Sequence, residues 1–137
     1  MENSQKVVLK PSIWNEQAAQ LLAGAAGNDP TYSMADLENE INRGSATLYA
    51  VGIGGALAGY VVLWLDDFGG TKELVIQSGR ALSNSALAIK LTLPALADFA
   101  RQRGAISMRA HSNDPAMIKL LTRFGFKKSE IVLRAQV

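Results

Sequence analysis

Residues 72–110, KELVIQSGRALSNSALAIKLTLPALADFARQRGAISMRA, decide the fold. The stretch opens on Lys72–Ile76, which reads as a strand, and closes on a second strand, Ile106–Ala110. Between them, after Ser83-Asn84-Ser85, lies a long apolar, helix-compatible segment that stops at Arg101-Gln102-Arg103-Gly104. Parallel neighbours need a crossover of about this length, so the two strands are expected side by side and parallel in one sheet, bridged by the helix. Pro94 falls inside that helix and removes one backbone hydrogen bond. A kink is expected there, or a restart capped by Thr92 with Pro94 in the new first turn.

Towards the N-terminus the pattern changes. Thr47–Ile53 and Ala56–Leu65 are apolar β runs joined at Gly54-Gly55, a strong hairpin signal. Asp66-Asp67-Phe68-Gly69-Gly70 reads as the next turn, so these runs and Lys72–Ile76 make an antiparallel meander. Gly52-Ile53-Gly54 is no dinucleotide fingerprint, because a strand and not a helix follows it. Earlier still, Val7-Val8-Leu9 is a short strand stopped by Pro11, and Asn15 caps a helix running to about Ala23, ended by Gly24 and Gly27-Asn28-Asp29-Pro30. Ser33 caps a second helix with Asp36 three residues on; Met34, Leu37 and Ile41 share a face, and Gly44 closes it.

After Ala110 the sequence Asn113-Asp114-Pro115 opens a last helix that Gly125 ends, and Ile131–Val137 reads as a final strand. The order is β-α-α-β-β-β-α-β-α-β, which implies an α+β fold in one domain over 1–137: a mixed, mostly antiparallel central sheet with helices on both faces.

Composition excludes several chemistries. The chain has 137 residues, 48% hydrophobic and 19% charged, as a folded domain should. It has no cysteine, so disulfides, thiolate nucleophiles and cysteine metal sites are ruled out together. Met1–Lys6 is polar, with no apolar leader, and no stretch approaches the ~18 apolar residues of a membrane span. A cytoplasmic setting and no membrane partner are expected. Net charge is +2, unevenly spread: residues 1–100 carry six basic and ten acidic side chains, residues 101–137 eight and two. Arg101, Arg103, Arg109, Lys119, Arg123, Lys127, Lys128 and Arg134 could face a phosphate-rich ligand, though a solvated basic face is the plainer reading. No aromatic platform for single strands accompanies them, which argues against a nucleic-acid partner. His111 is the sole histidine and has no partners in sequence with which to hold a metal.

Two segments carry a family resemblance. Asn113-Asp114-Pro115-Ala116-Met117-Ile118-Lys119-Leu120-Leu121-Thr122-Arg123-Phe124-Gly125-Phe126 is similar to the C-terminal helix of the GNAT-superfamily N-acetyltransferases, and Ala100-Arg101-Gln102-Arg103-Gly104-Ala105 resembles the end of their central helix. The likeness covers Thr47 to Val137, and the first 45 residues fit by element order. It implies a cleft beside the central strand that holds acetyl-CoA, with no metal, and an acetyl transfer from the thioester to an amine on a small molecule or a protein.

The family's pyrophosphate loop, Gln/Arg-x-x-Gly-x-Gly/Ala, resembles Arg80-Ala81-Leu82-Ser83-Asn84-Ser85, with serine at both small positions; counting back from Gly104 instead gives Asn84–Ile89, which holds no glycine. Each serine adds a Cβ where glycine would let backbone approach phosphate, although the hydroxyls can bond phosphate or simply cap the helix. The resemblance therefore implies cofactor contacts at Val75, Gln77, Arg80, Ser83, Ser85 and Asn113, with weak binding. Catalysis is thinner. The family's proton-donating tyrosine, four residues before Gly125, is Leu121 here, and a leucine donates nothing. Glu73 is the one carboxylate near the base position, about two residues out of register, with a solvated strand-end charge as its plainer reading. Tyr32, Tyr49 or Tyr60 could replace the acid only if folding brings one to the cleft.

A narrower likeness, Leu93-Pro94 followed by Phe99-Ala100, a glycine and a short Gly-Phe tail, resembles the small GNAT-like proteins of tailed phages. Those are often catalytically eroded and some are virion components. Two readings stay open: an acyltransferase with a degenerate site, or a non-catalytic scaffold such as a phage accessory or virion part. Oligomeric state is open too, a homodimer included.

Overall fold

The computed structural model describes residues 6–26, 33–83, 85–112, 114–129, 133 and 135–137. Its elements are β1 (Val7–Ser12), α1 (Glu16–Ala26), α2 (Met34–Arg43), β2 (Thr47–Ile53), β3 (Ala56–Phe68), β4 (Thr71–Ala81), α3 (Ser85–Gln102), β5 (Ala105–Ala110) and α4 (Pro115–Phe124). The five strands lie in one sheet in the order β1-β2-β3-β4-β5. The first three pairings are antiparallel. β4 and β5 are parallel, paired from Lys72↔Ala105 to Ile76↔Ala110 with one register shift after Lys72, and α3 bridges them as the crossover requires.

Local chemistry sets the element ends. Asn15 Oδ1 accepts from the Ala18 amide at 2.9 Å, Ser33 Oγ from Asp36 at 3.1 Å and Asp114 Oδ1 from Ala116 at 3.0 Å, so α1, α2 and α4 each start with an orphan amide satisfied. Gly44 ends α2 at φ +82, where a side chain would be strained. Gly54 and Gly55, with φ of 60 and 85, turn the β2–β3 hairpin.

Several boundaries differ from the sequence expectation. β1 runs through Pro11, which pairs with Tyr49; β1 is the outer strand of the sheet, and an edge tolerates a residue with no N–H. α1 passes Gly24 and ends at Ala26; the expected stop at 27–30 lies outside the described residues. β3 continues to Phe68, so Asp66 and Asp67 are strand residues and only Gly69-Gly70 turn. α3 is one continuous helix across Pro94, with no restart at Thr92. Pro94 is exposed while Leu93, Leu96 and Ala100 pack into the core on either side, and that burial outweighs one lost hydrogen bond. Of the expected last strand, 131, 132 and 134 lie outside the described residues, and Leu133 and residues 135–137 carry no strand.

Two cores sandwich the sheet. On one face Val51, Val61, Leu63 and Leu74 meet Leu93, Leu96 and Ala100 of α3, with Leu121 and Phe126 packed against them. On the other, Leu48, Tyr60 and Val62 meet Ala18 and Leu22 of α1 and Leu37 of α2. Each fully buried Leu or Val contributes about 1.5–3 kcal/mol relative to exposure, so these faces hold the layers together. Among the described residues, no helix is long and apolar enough to cross a membrane.

Candidate functional site

The site is built around a change in β4. Up to Ile76 the strand is paired on both sides, with β3 and β5. Beyond Ile76 it continues five residues to Ala81 paired with β3 alone among the described residues. The register marks where this begins: Leu63 pairs with Ile76 and Val62 with Ser78, so Gln77 is an extra, bulged residue opposite no partner. A bulge bends and twists its strand, and it falls where β4 and β5 part. From Gln77 to Ala81 one backbone edge of β4 therefore faces the gap beyond the end of β5.

This upper part of β4 is fixed from the β3 side. Leu82 donates its amide to the Ala58 carbonyl at 2.8 Å, and Gly59 pairs with Ala81. A Cβ on Gly59 would sit 2.3 Å from the Arg80 carbonyl oxygen, so only glycine admits this close approach. Arg80 is exposed and pairs with Tyr60. Leu82 and Ser83 are exposed linkers, and α3 begins at Ser85, so its positive N-terminal end follows the free stretch of β4 directly.

The residues expected to touch cofactor thus fall into three groups. Gln77 and Arg80 lie on the free stretch, and Ser83 and Ser85 lie at its exit into α3. Val75 lies below, paired with both Trp64 and Arg109, its side chain fully buried. Asn113 lies outside the described residues. A cavity of about 190 Å³ is lined by Ser83, Leu82 and Leu87, with Leu57 and its neighbours on the hairpin, and does not include Val75. A second of about 250 Å³ lies between the Gly44–Thr47 segment, Tyr49, Phe99 and Arg103.

Glu73 belongs to a charged cluster that sequence reasoning did not find. Arg109 on β5 donates from Nη1 to Glu73 Oε1 at 2.9 Å and from Nη2 to Asp66 Oδ2 on β3 at 2.7 Å. Ser107 Oγ donates to Glu73 Oε2 at 2.8 Å, and Trp64 Nε1 to Asp66 Oδ1 at 3.2 Å. Both Glu73 oxygens are engaged, one by a cation, in hydrogen bonds that compete with any proton a base would take. The partners are 34 and 36 residues away in sequence and meet only through strand register.

The tyrosines lie elsewhere. Tyr60 is buried and its hydroxyl donates to Gln17 Oε1 at 3.2 Å, while Tyr49 packs edge-on against Phe99. Tyr32 lies outside the described residues. Leu121 on α4 packs against the core of the α3 face. His111 is exposed after β5, and among the described residues no three His, Cys, Asp or Glu side chains gather as metal ligands would.

A mixed sheet whose fourth strand outruns a parallel fifth and feeds a helix is the GNAT acyl-CoA N-acyltransferase fold. Solved structures bear this out across the whole chain. A ribosomal-protein-alanine N-acetyltransferase from Brucella melitensis biovar Abortus 2308 superposes with a TM-score of 0.63 at 18% identity, over 95% of this chain and 100% of that one. An aminoglycoside N-acetyltransferase in complex with CoA gives 0.59 at 13% identity, over 97% and 95%. A transcriptional regulator from Bacillus halodurans C-125 gives 0.64 at 17% identity, over 95% and 100%. At such identities the likeness is one of fold. No protein-family model matches the sequence, and no curated protein matches it.

Proposed function

We propose that this protein binds acetyl-CoA along the free stretch of β4 and transfers the acetyl group to an amine, slowly. The observation that carries this reading is the end of β4–β5 pairing at Ile76, coincident with the Gln77 bulge and followed by five residues with one open backbone edge. Such an edge offers the N–H and C=O groups that an amide-bearing chain like pantetheine can pair with, as an added strand would. The reading is supported by the exposure of Arg80, a side chain able to bond phosphate, and by Ser83 just ahead of α3, whose N-terminal end favours negative charge; Ser85 is the first residue of that helix. Two serines in place of loop glycines limit backbone approach, so binding is weak. When bound, the cofactor supplies a thioester; the chain's part is to hold an acceptor amine, on a small molecule or a protein, against it.

Weak catalysis follows from the side chains at hand. General acid catalysis is worth about 10²–10⁴-fold, and Leu121 cannot provide it. A coenzyme A thiolate leaves tolerably without help, since thiol pKa values lie near about 8.5. Calorimetry should give no tight complex at micromolar acetyl-CoA, and a sub-micromolar affinity would contradict the eroded loop. A thiol-release assay should give slow turnover with common amines, raised up to about 10²-fold by Leu121→Tyr.

The second reading, a non-catalytic scaffold of the kind some phages carry, is favoured by the engaged oxygens of Glu73 and by the packing of Leu121. Under it, Leu121→Tyr leaves thiol release at background and only overpacks the α3 face. Fast turnover by the unaltered protein would refute both readings.

A further inference from the structure

We propose that Arg109 is a positioning residue that sets how far β4 and β5 part; this rests on the cofactor cleft proposed above. Pairing between the two strands ends at Ile76↔Ala110, and the pair just below it is Val75↔Arg109. The guanidinium reaches back from there to Glu73 and Asp66, which face each other further down, so it fastens the paired side of the splay. Ladder hydrogen bonds join only nearest neighbours, whereas Arg109 reaches past β4 to Asp66 on β3, two strand spacings or about 10 Å away. One side chain thereby ties the fifth strand to the fourth and the third.

The surroundings make this more than a surface ion pair. The side chains of Arg109, Asp66 and Glu73 are 29%, 30% and 23% exposed, so water and salt screen them only in part. Arg109 Nε is buried with no partner among the described residues, a cost set against the two charged forks beyond it. By contrast the Arg101–Asp98 pair is a helical i,i+3 contact with side chains 68% and 65% exposed, the kind that contributes little. Asp66 and Glu73 also face each other directly across β3 and β4. Without the cation between them, two like charges would sit opposite one another and push the strands apart.

Hydrogen exchange followed by mass spectrometry on the full chain tests this, using Arg109→Met, Arg109→Lys and the double variant Arg109→Met with Asp66→Asn. Arg109→Met should speed exchange in β5 and in Lys72–Gln77 about tenfold, the size expected for lost charged hydrogen bonds, with β1 and β2 unchanged. Arg109→Lys should fall between, because an ammonium cannot fork to two strands. The double variant should restore protection to β3–β4 but leave β5 fast. Unchanged exchange in β5, or equal acceleration across all five strands, overturns the proposal. If Arg109→Met does not fold, the same comparison is read from Arg109→Lys.

Acetyl-CoA titration of the same proteins separates this from the cofactor reading. Where the unaltered protein binds, Arg109→Met should weaken binding about tenfold, in line with the exchange effect. Faster β5 exchange with affinity held within about twofold would sink the positioning role. If the unaltered protein binds no acetyl-CoA, the cofactor reading fails and the exchange result alone decides the clamp.

Discussion

The lower part of β4, Lys72–Ile76, and its upper part, Gln77–Ala81, share a backbone and the β3 neighbour and differ in what borders the other edge. The lower part is flanked by strands on both sides, contains the fully buried Leu74 and Val75, and is crossed by the Arg109 ion pairs. Among the described residues the upper part has a neighbour on one side only and no fully buried side chain, and a helix N-terminus lies at its end. Stability concentrates in the first and available hydrogen-bonding capacity in the second. One strand can thus anchor a fold and offer a binding edge, provided that something keeps its neighbour from pairing all the way up.

The contrast can be broken most forcefully in the lower part. Leu74→Ala should cost about 2–5 kcal/mol in urea denaturation, the range for truncating a buried leucine that cannot collapse its cavity. A loss below that range would mean that β4 is not the anchor described. At the junction with β3, Gly59→Ala should cost about 1–3 kcal/mol through overpacking, because its Cβ would lie 2.3 Å from the Arg80 carbonyl oxygen. Gly79→Ala should cost less, since its nearest neighbour is the Val61 Cγ2 at 3.2 Å, a side-chain atom that can give way. Equal melting temperatures for these two variants would show that the upper part is held loosely. The smallest change in stability is expected at Arg80→Ala, within about 0.5 kcal/mol. If the upper part binds phosphate, the same change should weaken acetyl-CoA about tenfold by calorimetry, the value of a charged hydrogen bond. Unaltered affinity would remove Arg80 from the site.

The two parts were also unequally legible in the sequence. Lys72–Ile76 reads as a strand because it is apolar and β-branched, and its parallel partner follows from the helix-length crossover. Gln77-Ser78-Gly79-Arg80 has no such signal: two polar residues, a glycine and an arginine look like loop. They are strand because β3 holds them, with a bulge at Gln77 and a glycine at 59 on the facing side, and neither is a local property. Caps behaved oppositely. Asn15, Ser33 and Gly44 stand where their chemistry puts them, since a cap depends on a few residues of chain. Pro11 and Pro94 show local rules losing to context, an outer strand in one case and apolar burial in the other. The Asp66–Arg109–Glu73 cluster was invisible because cross-strand register cannot be read from spacing.

Strand order in the sheet repeats strand order in the chain, β1 through β5. Successive antiparallel strands β2, β3 and β4 meet through short turns, so little chain entropy is lost in bringing them together. Two pairings must wait for long loops to close: β1–β2, across α1 and α2, and β4–β5, across the 18 residues of α3. Folding is therefore expected to proceed from the meander outwards, with β1 and β5 docking late onto a platform already made. The gap along upper β4 then needs no segment to be pushed aside to create it. It is what remains when a late-docking strand stops short.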